Sequence, residues 1–338
     1  MNRKYKYINC FCFVLFFIFL QQAGNIFAQD IHFSQFYFSP VGINPANTGN
    51  FQGDYRYTGN YKNQWNSVAN PYKTIFSSFE ISLPAKMIGI GVSFYTDKAG
   101  KSNMGITQGN LSASYTWRAN GKNNFIGGLQ YGFGQRSIKV NGLKWDSQFN
   151  GSEYDNSLAS GENSFSGTFV YMDVSAGVIW NYFNSFTHFQ STAGLAVFHA
   201  NKPKQSFYNN SPEKLNPKIV AHLSQQIKLG DQPLYILPQF FYSRQGTFSE
   251  VIMGGMVKYV MGFDNASFLV NDAMGSTSAI LLGGQYRYKD AITLTTAYEL
   301  KKALLIGMSY DINTSRLKVA SSMRGGFEIA LMYKGAFN

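Results

Sequence analysis

Apolar and polar residues alternate with a period of two over long parts of the chain. Residues 54–62 read DYRYTGNYK, where tyrosines and a glycine occupy one parity and polar residues the other. The same alternation occurs in residues 74–83 and 106–118. Because successive side chains of a strand point to opposite faces of a sheet, each stretch is predicted to be a β-strand with one apolar and one polar face.

About fourteen segments of this kind follow one another. Each is long enough for the ~9–11 residues of a tilted membrane strand, and an even number is what a bacterial single-chain barrel requires. The last segment has the alternating aromatic residues of a terminal barrel strand. The predicted strands are residues 54–62, 73–83, 87–96, 106–118, 125–138, 168–182, 187–198, 218–229, 234–244, 248–261, 278–288, 291–300, 303–312 and 325–337.

Composition and hydropathy favour a membrane location for these strands. Aromatic residues make up 17% of the chain and charged residues only 14%, against roughly 25% charged in soluble domains. Beyond residue 28 no run approaches ~18 consecutive apolar residues, which excludes helical spans and leaves the closed β-barrel. The fold class predicted is an all-β transmembrane antiparallel barrel, and a soluble β-sandwich is the alternative.

The predicted connections alternate in length. Those after even strands are tight, at residues 84–86, 119–124, 183–186 and 230–232, whereas residues 139–167 and 199–217 form long connections after odd strands. Because outer-membrane barrels have short periplasmic turns and long outer loops, this predicts a periplasmic N-terminus. Residues 262–277 break the rule, and a miscounted strand is the explanation that the pattern offers.

The first 28 residues have the form of a secretory signal peptide. Basic residues at positions 3, 4 and 6 precede an uncharged apolar run, and small residues end at Ala28, where cleavage is predicted. Both cysteines, Cys10 and Cys12, lie in the apolar run, so the mature chain is predicted to have none. The predicted organisation is a signal peptide (1–28), an N-terminal periplasmic or lumenal segment (29–53) and a barrel (54–338).

Residues 29–50, QDIHFSQFYFSPVGINPANTGN, combine aromatic residues with two prolines. This composition suits a segment that docks inside the barrel or against its periplasmic mouth. The inward parity of several strands is small and uncharged, which either lets another chain approach closely or only relieves crowding in the wall. The residues concerned are Gly89, Gly91, Ser93, Gly128, Gln130, Gly132, Gly134, Gly194 and Ala196.

The sequence carries little that would support catalysis or metal binding. His188 and His222 share the predicted inward parity, but the sequence pattern does not place a particular serine and acidic residue beside either histidine, as a hydrolase would need. No histidine pair has the spacing of metal ligands. The loop of residues 146–155 contains acidic side chains, but their spacing does not match that of a calcium-binding EF-hand loop. No basic block indicates nucleic acid. The prediction is therefore a protein that is not an enzyme and has no cofactor.

Residues 30–49, DIHFSQFYFSPVGINPANTG, resemble the N-terminal signature of the PorP/SprF family, outer-membrane proteins of the bacterial type IX secretion system. Residues 61–65, YKNQW, are similar to a Tyr-Arg-Asp-Gln-Trp-like run of that family, from which Lys62 and Asn63 depart. Asp30 is followed by Ile31 where the family usually has proline. The likeness extends over nearly the whole mature chain.

The resemblance implies a role in protein secretion or surface attachment in the outer membrane of a Gram-negative bacterium. Barrels of this family associate with type IX components, or help to export a secreted partner with a type IX sorting domain, such as a gliding adhesin, and hold it on the surface. It marks partner-binding candidates in the N-terminal segment and at the first outer loop. These are Phe33, Gln35, Phe36, Asn44, Pro45, Gln64 and Trp65.

Two alternatives stay open at this point. Asn44 and Pro45 can serve only to form turns, and Trp65 can belong to the outer aromatic girdle. The protein can also be a diffusive channel for small solutes, although a pore needs rings of charge and the predicted inward charges are few. These charges are Arg56, Glu80, Arg118, Arg136, Lys228, Glu250 or Lys258, Arg287, Glu299 and Glu328.

Overall fold

A computed structural model describes residues 30–64, 72–100, 104–139, 145–155, 157–159, 161, 167–208, 213–261, 277–315 and 324–337. The predicted signal peptide, Trp65 and parts of the long connections lie outside these ranges. No helix within them is long and apolar enough to cross a membrane.

Fourteen antiparallel strands form one closed barrel, as the alternation predicted. Every strand pairs with its neighbours in the chain, and β1 pairs with β14 to close the wall. The strands are β1 Tyr55–Gln64, β2 Tyr72–Leu83, β3 Ile88–Ala99, β4 Met104–Arg118, β5 Asn123–Ser137, β6 Thr168–Asn184, β7 Phe189–Phe198, β8 Lys218–Lys228, β9 Leu234–Gln245, β10 Phe248–Met261, β11 Ser278–Arg287, β12 Ala291–Leu300, β13 Leu304–Asn313 and β14 Arg324–Gly335.

The two faces of the wall are the reverse of those in a soluble protein. In β4, Leu111 and Trp117 are more than 60% exposed on the outside, whereas Ser112 and Ser114 are buried on the inside. The same pattern recurs around the barrel. An apolar outer surface around a polar interior suits a wall that faces lipid and excludes the β-sandwich, whose apolar faces would meet in a core.

The barrel has two different ends. We call the end where β1 begins the turn end, because tight turns follow β2, β4, β6 and β8 there. The opposite end, the loop end, carries the long connections after β5 and β7. The long connection after β10 lies at the turn end, but β10 and β11 pair directly. A miscounted strand is therefore the wrong explanation for it.

Residues 30–50, which we call the plug, lie inside the barrel. They form three short helical pieces, 3₁₀-helix Phe36–Phe38, α1 Pro40–Ile43 and 3₁₀-helix Pro45–Asn47. Proline opens the last two, where its missing N–H costs no hydrogen bond. The Asn44 side chain caps the third by accepting from the Ala46 N–H at 2.9 Å. These turns hold a compact segment that the wall surrounds.

Candidate functional site

The plug is fastened to the wall near the loop end by a buried carboxylate. Glu328 of β14 accepts hydrogen bonds from the backbone N–H groups of Ser34, at 2.7 Å, and Gln35, at 3.0 Å. The Lys62 ammonium of β1 lies 2.8 Å from the same carboxylate, and both side chains are almost wholly buried. The lysine thus neutralises the charge that the plug backbone requires as an acceptor.

A second ion pair, between Arg287 and Asp311, binds the side chain of Ser34. The Ser34 hydroxyl donates to Asp311 of β13 and accepts from Arg287 of β11, both at 2.9 Å. Arg287 also pairs with Asp311 at 2.9 Å, and the Thr293 hydroxyl donates to that carboxylate at 2.7 Å. The buried charges are therefore paired and hydrogen-bonded, which is the condition under which an ion pair is tolerated away from water.

The first described residue, Asp30, is bound by a histidine clamp. The His199 ring, just after β7, contacts the Asp30 carboxylate at 2.6 Å through Nε2 and the Asp173 carboxylate at 2.9 Å through Nδ1. Burial disfavours the imidazolium, but the two carboxylates outweigh it and raise the pKa of His199 to about 9. Burial also opposes ionisation of Asp30, yet His199 holds the pKa of that carboxyl below its usual range.

Another ion pair fixes the plug near the turn end. Arg56 of β1 makes a bidentate contact with Glu80 of β2, at 3.0 and 2.7 Å. The remaining groups reach the plug, because Arg56 donates to the Asn47 carbonyl at 3.0 Å and Glu80 accepts from the Gly49 N–H at 3.1 Å. The plug is therefore held by buried charged pairs near both ends.

Between these anchors, aromatic side chains of the plug insert into apolar patches of the wall. The Phe36 ring lies 5.1 Å from the Phe241 ring and belongs to one cluster. Phe38 is fully buried in another cluster, on β10 to β14 of the wall, which adjoins the first cluster at β10. The wall residues of these clusters are Ala196, Val220, Phe241 and Ile252 around Phe36, and Met256, Ala279, Leu281, Ala297, Ala330 and Met332 around Phe38.

Glycines on the inner face of the wall leave room for the plug. A Cβ at Gly89 or Gly128 would come within 3.0 Å of plug backbone atoms, closer than real Cβ atoms approach. This confirms the close-approach interpretation for these two positions. At Gly194 a Cβ would meet the side chains of His222 and Asn44. At Gly132 and Gly134 a Cβ would instead meet wall side chains, so there the relief of crowding is the correct interpretation. Both interpretations of the sequence hold, at different positions.

The partner-binding candidates of the N-terminal segment all lie in the plug. Phe33, Gln35, Phe36, Asn44 and Pro45 are buried, and the Asn44 amide donates to the carbonyls of Val178 at 3.1 Å and Leu195 at 3.2 Å. Gln64 is the last residue of β1 rather than a loop residue. Trp65 lies outside the described residues. Their role in binding a partner protein stays a prediction.

The inward charges are more numerous than the sequence predicted. Arg56, Glu80, Glu250, Arg287, Glu299 and Glu328 are buried as expected, whereas Arg118 is exposed at the turn end. Sequence reasoning missed Lys62, Asp173, His199 and Asp311, all of them buried. Lys62 has the parity of Arg56 and was detectable, but His199 follows its strand and has no parity to indicate its direction.

The described residues contain no group of three or more histidine, cysteine, aspartate or glutamate side chains that could hold a metal ion. In the acidic loop, Asn150 accepts from the backbone N–H groups of Ser152 and Glu153 and so forms a turn. His188 lies in the turn after β6, not on a strand, so its predicted inward parity is wrong. His222 contacts the plug at Asn44, 3.2 Å away.

A closed wall that is apolar outside and polar inside, with a segment of its own chain through the lumen, defines a plugged outer-membrane β-barrel. The chain belongs to the PorP/SprF family, because the family model for the type IX secretion system membrane protein PorP/SprF matches residues 25–333. The resemblance found in the sequence is thereby confirmed, and with it a role in secretion at the outer membrane. No match was found among curated proteins.

Solved structures with a similar architecture are distant. The TodX ΔS2S3 mutant monoaromatic hydrocarbon channel is 8% identical with a TM-score of 0.46, over 88% of this chain and 94% of that chain. The translocator domain of autotransporter NalP from Neisseria meningitidis is 11% identical with a TM-score of 0.41, over 89% and 95%. An outer-membrane channel from Pseudomonas putida F1 is 11% identical with a TM-score of 0.39, over 83% and 94%. Likeness at this level carries no functional information.

Proposed function

We propose that this protein serves type IX secretion as a non-catalytic barrel that binds an exported or surface-attached protein, or components of the machinery, and supports its export and anchoring. The observation that carries the proposal is the plug, which occupies the lumen from one end to the other. A barrel filled by its own chain acts through its surfaces rather than through an open pore.

The arrangement of charge supports this proposal over a diffusive channel. A selective pore presents rings of charged side chains to water at a constriction. Here the inward charges neutralise one another in buried pairs, Lys62 with Glu328 and Arg287 with Asp311, and they bind the plug as well. Although the inward charges are more numerous than the sequence predicted, they therefore do not favour ion conduction.

The loop end is the face that we propose for the exported partner. Its two long connections carry exposed aromatic residues, Phe149 and Tyr154 after β5 and Tyr208 after β7. Aromatic side chains bring large contact area at low entropic cost and are enriched in binding hot spots. Outer-membrane barrels keep short turns in the periplasm, so we assign the turn end to the periplasm and the loop end to the outside.

An affinity purification tests the proposal. The tagged barrel would be extracted from its native outer membrane and its bound proteins identified, beside a variant with residues 146–158 replaced by a short glycine-serine linker. A second variant with residues 119–122 changed is the matched control at the turn end. We expect a large exported protein to accompany the native barrel and the control but not the shortened variant. Normal surface display of the exported protein in a strain that lacks the barrel would contradict the proposal.

A bilayer measurement addresses the channel alternative. The purified barrel should carry no steady conductance, whereas deletion of residues 31–46 should open the polar lumen to water and ions. Steady conductance by the native barrel, together with recovery of no bound protein, would favour the channel.

A further inference from the structure

The plug begins at the end of the barrel opposite to the start of β1. The Asp30 N–H donates to the side chain of Gln245, the last residue of β9, at 3.2 Å. Its carboxylate contacts His199, which directly follows β7. Odd strands run from the turn end to the loop end, so Asp30 lies at the loop end.

The other end of the plug lies where β1 begins. The Thr48 carbonyl accepts a hydrogen bond from the Ser114 hydroxyl near the end of β4. The Asn50 side chain accepts from Asn181 near the end of β6 at 2.9 Å. Both strands end at the turn end, so the plug crosses the lumen.

Chain length and burial agree with such a crossing. A membrane barrel wall has an apolar band about 25 Å tall, and a 21-residue segment extends to roughly 70 Å at most, which leaves room for the helical turns. Residues 30–32 and 49–51 are partly exposed, residues 33–36, 38–41 and 44–48 are buried, and Gly42 is exposed. Most of the plug is therefore enclosed, and each of its ends reaches one mouth.

We infer that the chain enters the lumen at the loop end with residue 30, passes through the lumen and leaves at the turn end to begin β1. Residues 30–32 then form the floor of the loop-end mouth and are part of the surface that an exported partner contacts. The Lys218 ammonium of β8, which donates to the Ile31 carbonyl at 3.4 Å, and the Lys62 ammonium, which donates to the His32 carbonyl at 3.1 Å, hold this floor in place. The contact with a partner rests on the proposed function, but the direction of the plug does not.

This topology changes what a periplasmic N-terminus means for the barrel. The start of β1 and residue 30 are on opposite sides of the membrane, so at most one of them is periplasmic. With short turns in the periplasm, the start of β1 faces the periplasm and residue 30 faces the outside.

Single cysteines test the direction, because Cys10 and Cys12 lie in the predicted signal peptide. We would compare Ile31→Cys, at the first end of the plug, and Gln52→Cys, just after its last residue, with Ser152→Cys as a marker of the loop end and Lys122→Cys as a marker of the turn end. A membrane-impermeant maleimide is applied to intact cells and then to permeabilised cells. Ile31→Cys should label with the Ser152→Cys marker, and Gln52→Cys with the Lys122→Cys marker.

The outcomes separate this inference from the proposed orientation. If Ile31→Cys and Ser152→Cys are both protected in intact cells while the other two label, the orientation is reversed and the inference stands. Labelling of Ile31→Cys together with Lys122→Cys would overturn the inference. A cross-link provides a second measurement, since Asp30→Cys should join His199→Cys and not Asn181→Cys. Failure of the first pair, or success of the second, would also overturn it.

Discussion

Glu328 provides the sharpest test of how the plug is held. Replacing it with alanine removes the acceptor of the Ser34 and Gln35 N–H groups and leaves the Lys62 ammonium buried without its partner. Loss of one member of a buried ion pair costs about 3–5 kcal/mol, and each orphaned N–H group about 1–3 kcal/mol. The lower limit of the ion-pair cost alone, about 3 kcal/mol, corresponds to a roughly 150-fold shift toward the released plug.

Single-barrel conductance in a planar bilayer measures this shift as the fraction of time that the lumen is open. Glu299→Ala is the matched control, because Glu299 is an inward glutamate that pairs with Lys258 of the wall and makes no described contact with the plug. We expect openings in Glu328→Ala and few in the control. Lys62→Met combined with Glu328→Met should recover part of the loss by removing the unpaired charge. Equal behaviour of Glu328→Ala and Glu299→Ala would refute the reasoning.

Three further changes probe other contacts of the plug. The pKa of His199 is raised from 6.5 to about 9 in the folded protein. The stabilisation of the folded protein by His199 is therefore complete below pH 6.5 and is lost as pH rises through 9. Proteolysis near Asp30 should increase over that range in the native chain but not in His199→Gln. Gly128→Val should force the plug backbone away and lower the free energy of unfolding by about 1–3 kcal/mol through overpacking, measured as a lower melting temperature. Gly127→Val, on the open outer face of the same strand, should leave the melting temperature unchanged. Asn44→Ala removes the amide that donates to two wall carbonyls and should weaken plug binding by about 1–3 kcal/mol, measured as faster proteolysis.

Each of these changes has an outcome that would contradict it. A pH profile that is the same in His199→Gln as in the native chain would remove the clamp as a determinant of plug binding. Equal melting temperatures for Gly128→Val and Gly127→Val would mean that the plug does not contact β5. Unchanged proteolysis of Asn44→Ala would mean that the wall carbonyls find another donor.

The strands and their faces followed from the sequence alone because side-chain direction in a strand is a local property with a period of two. Residues such as Leu111 and Ser112 could therefore be assigned to opposite faces without knowledge of the fold, and the strand count followed from the same alternation. The N-terminal signature sufficed for the family, because it is a contiguous run. Strand ends did not follow from the alternation, as at Gln64 and His188, because pairing rather than pattern decides where a strand ends.

The tertiary structure alone decided what fills the lumen and what holds it there. Ser34 and Glu328 are 294 residues apart, and nothing local links a plug N–H to a carboxylate on the last strand. The same limit applies to glycine, since Gly128 and Gly132 share one strand and one face, yet only Gly128 opposes the plug backbone. Period and composition describe one strand at a time, whereas ion pairing and close approach depend on which distant segments the closed barrel brings together.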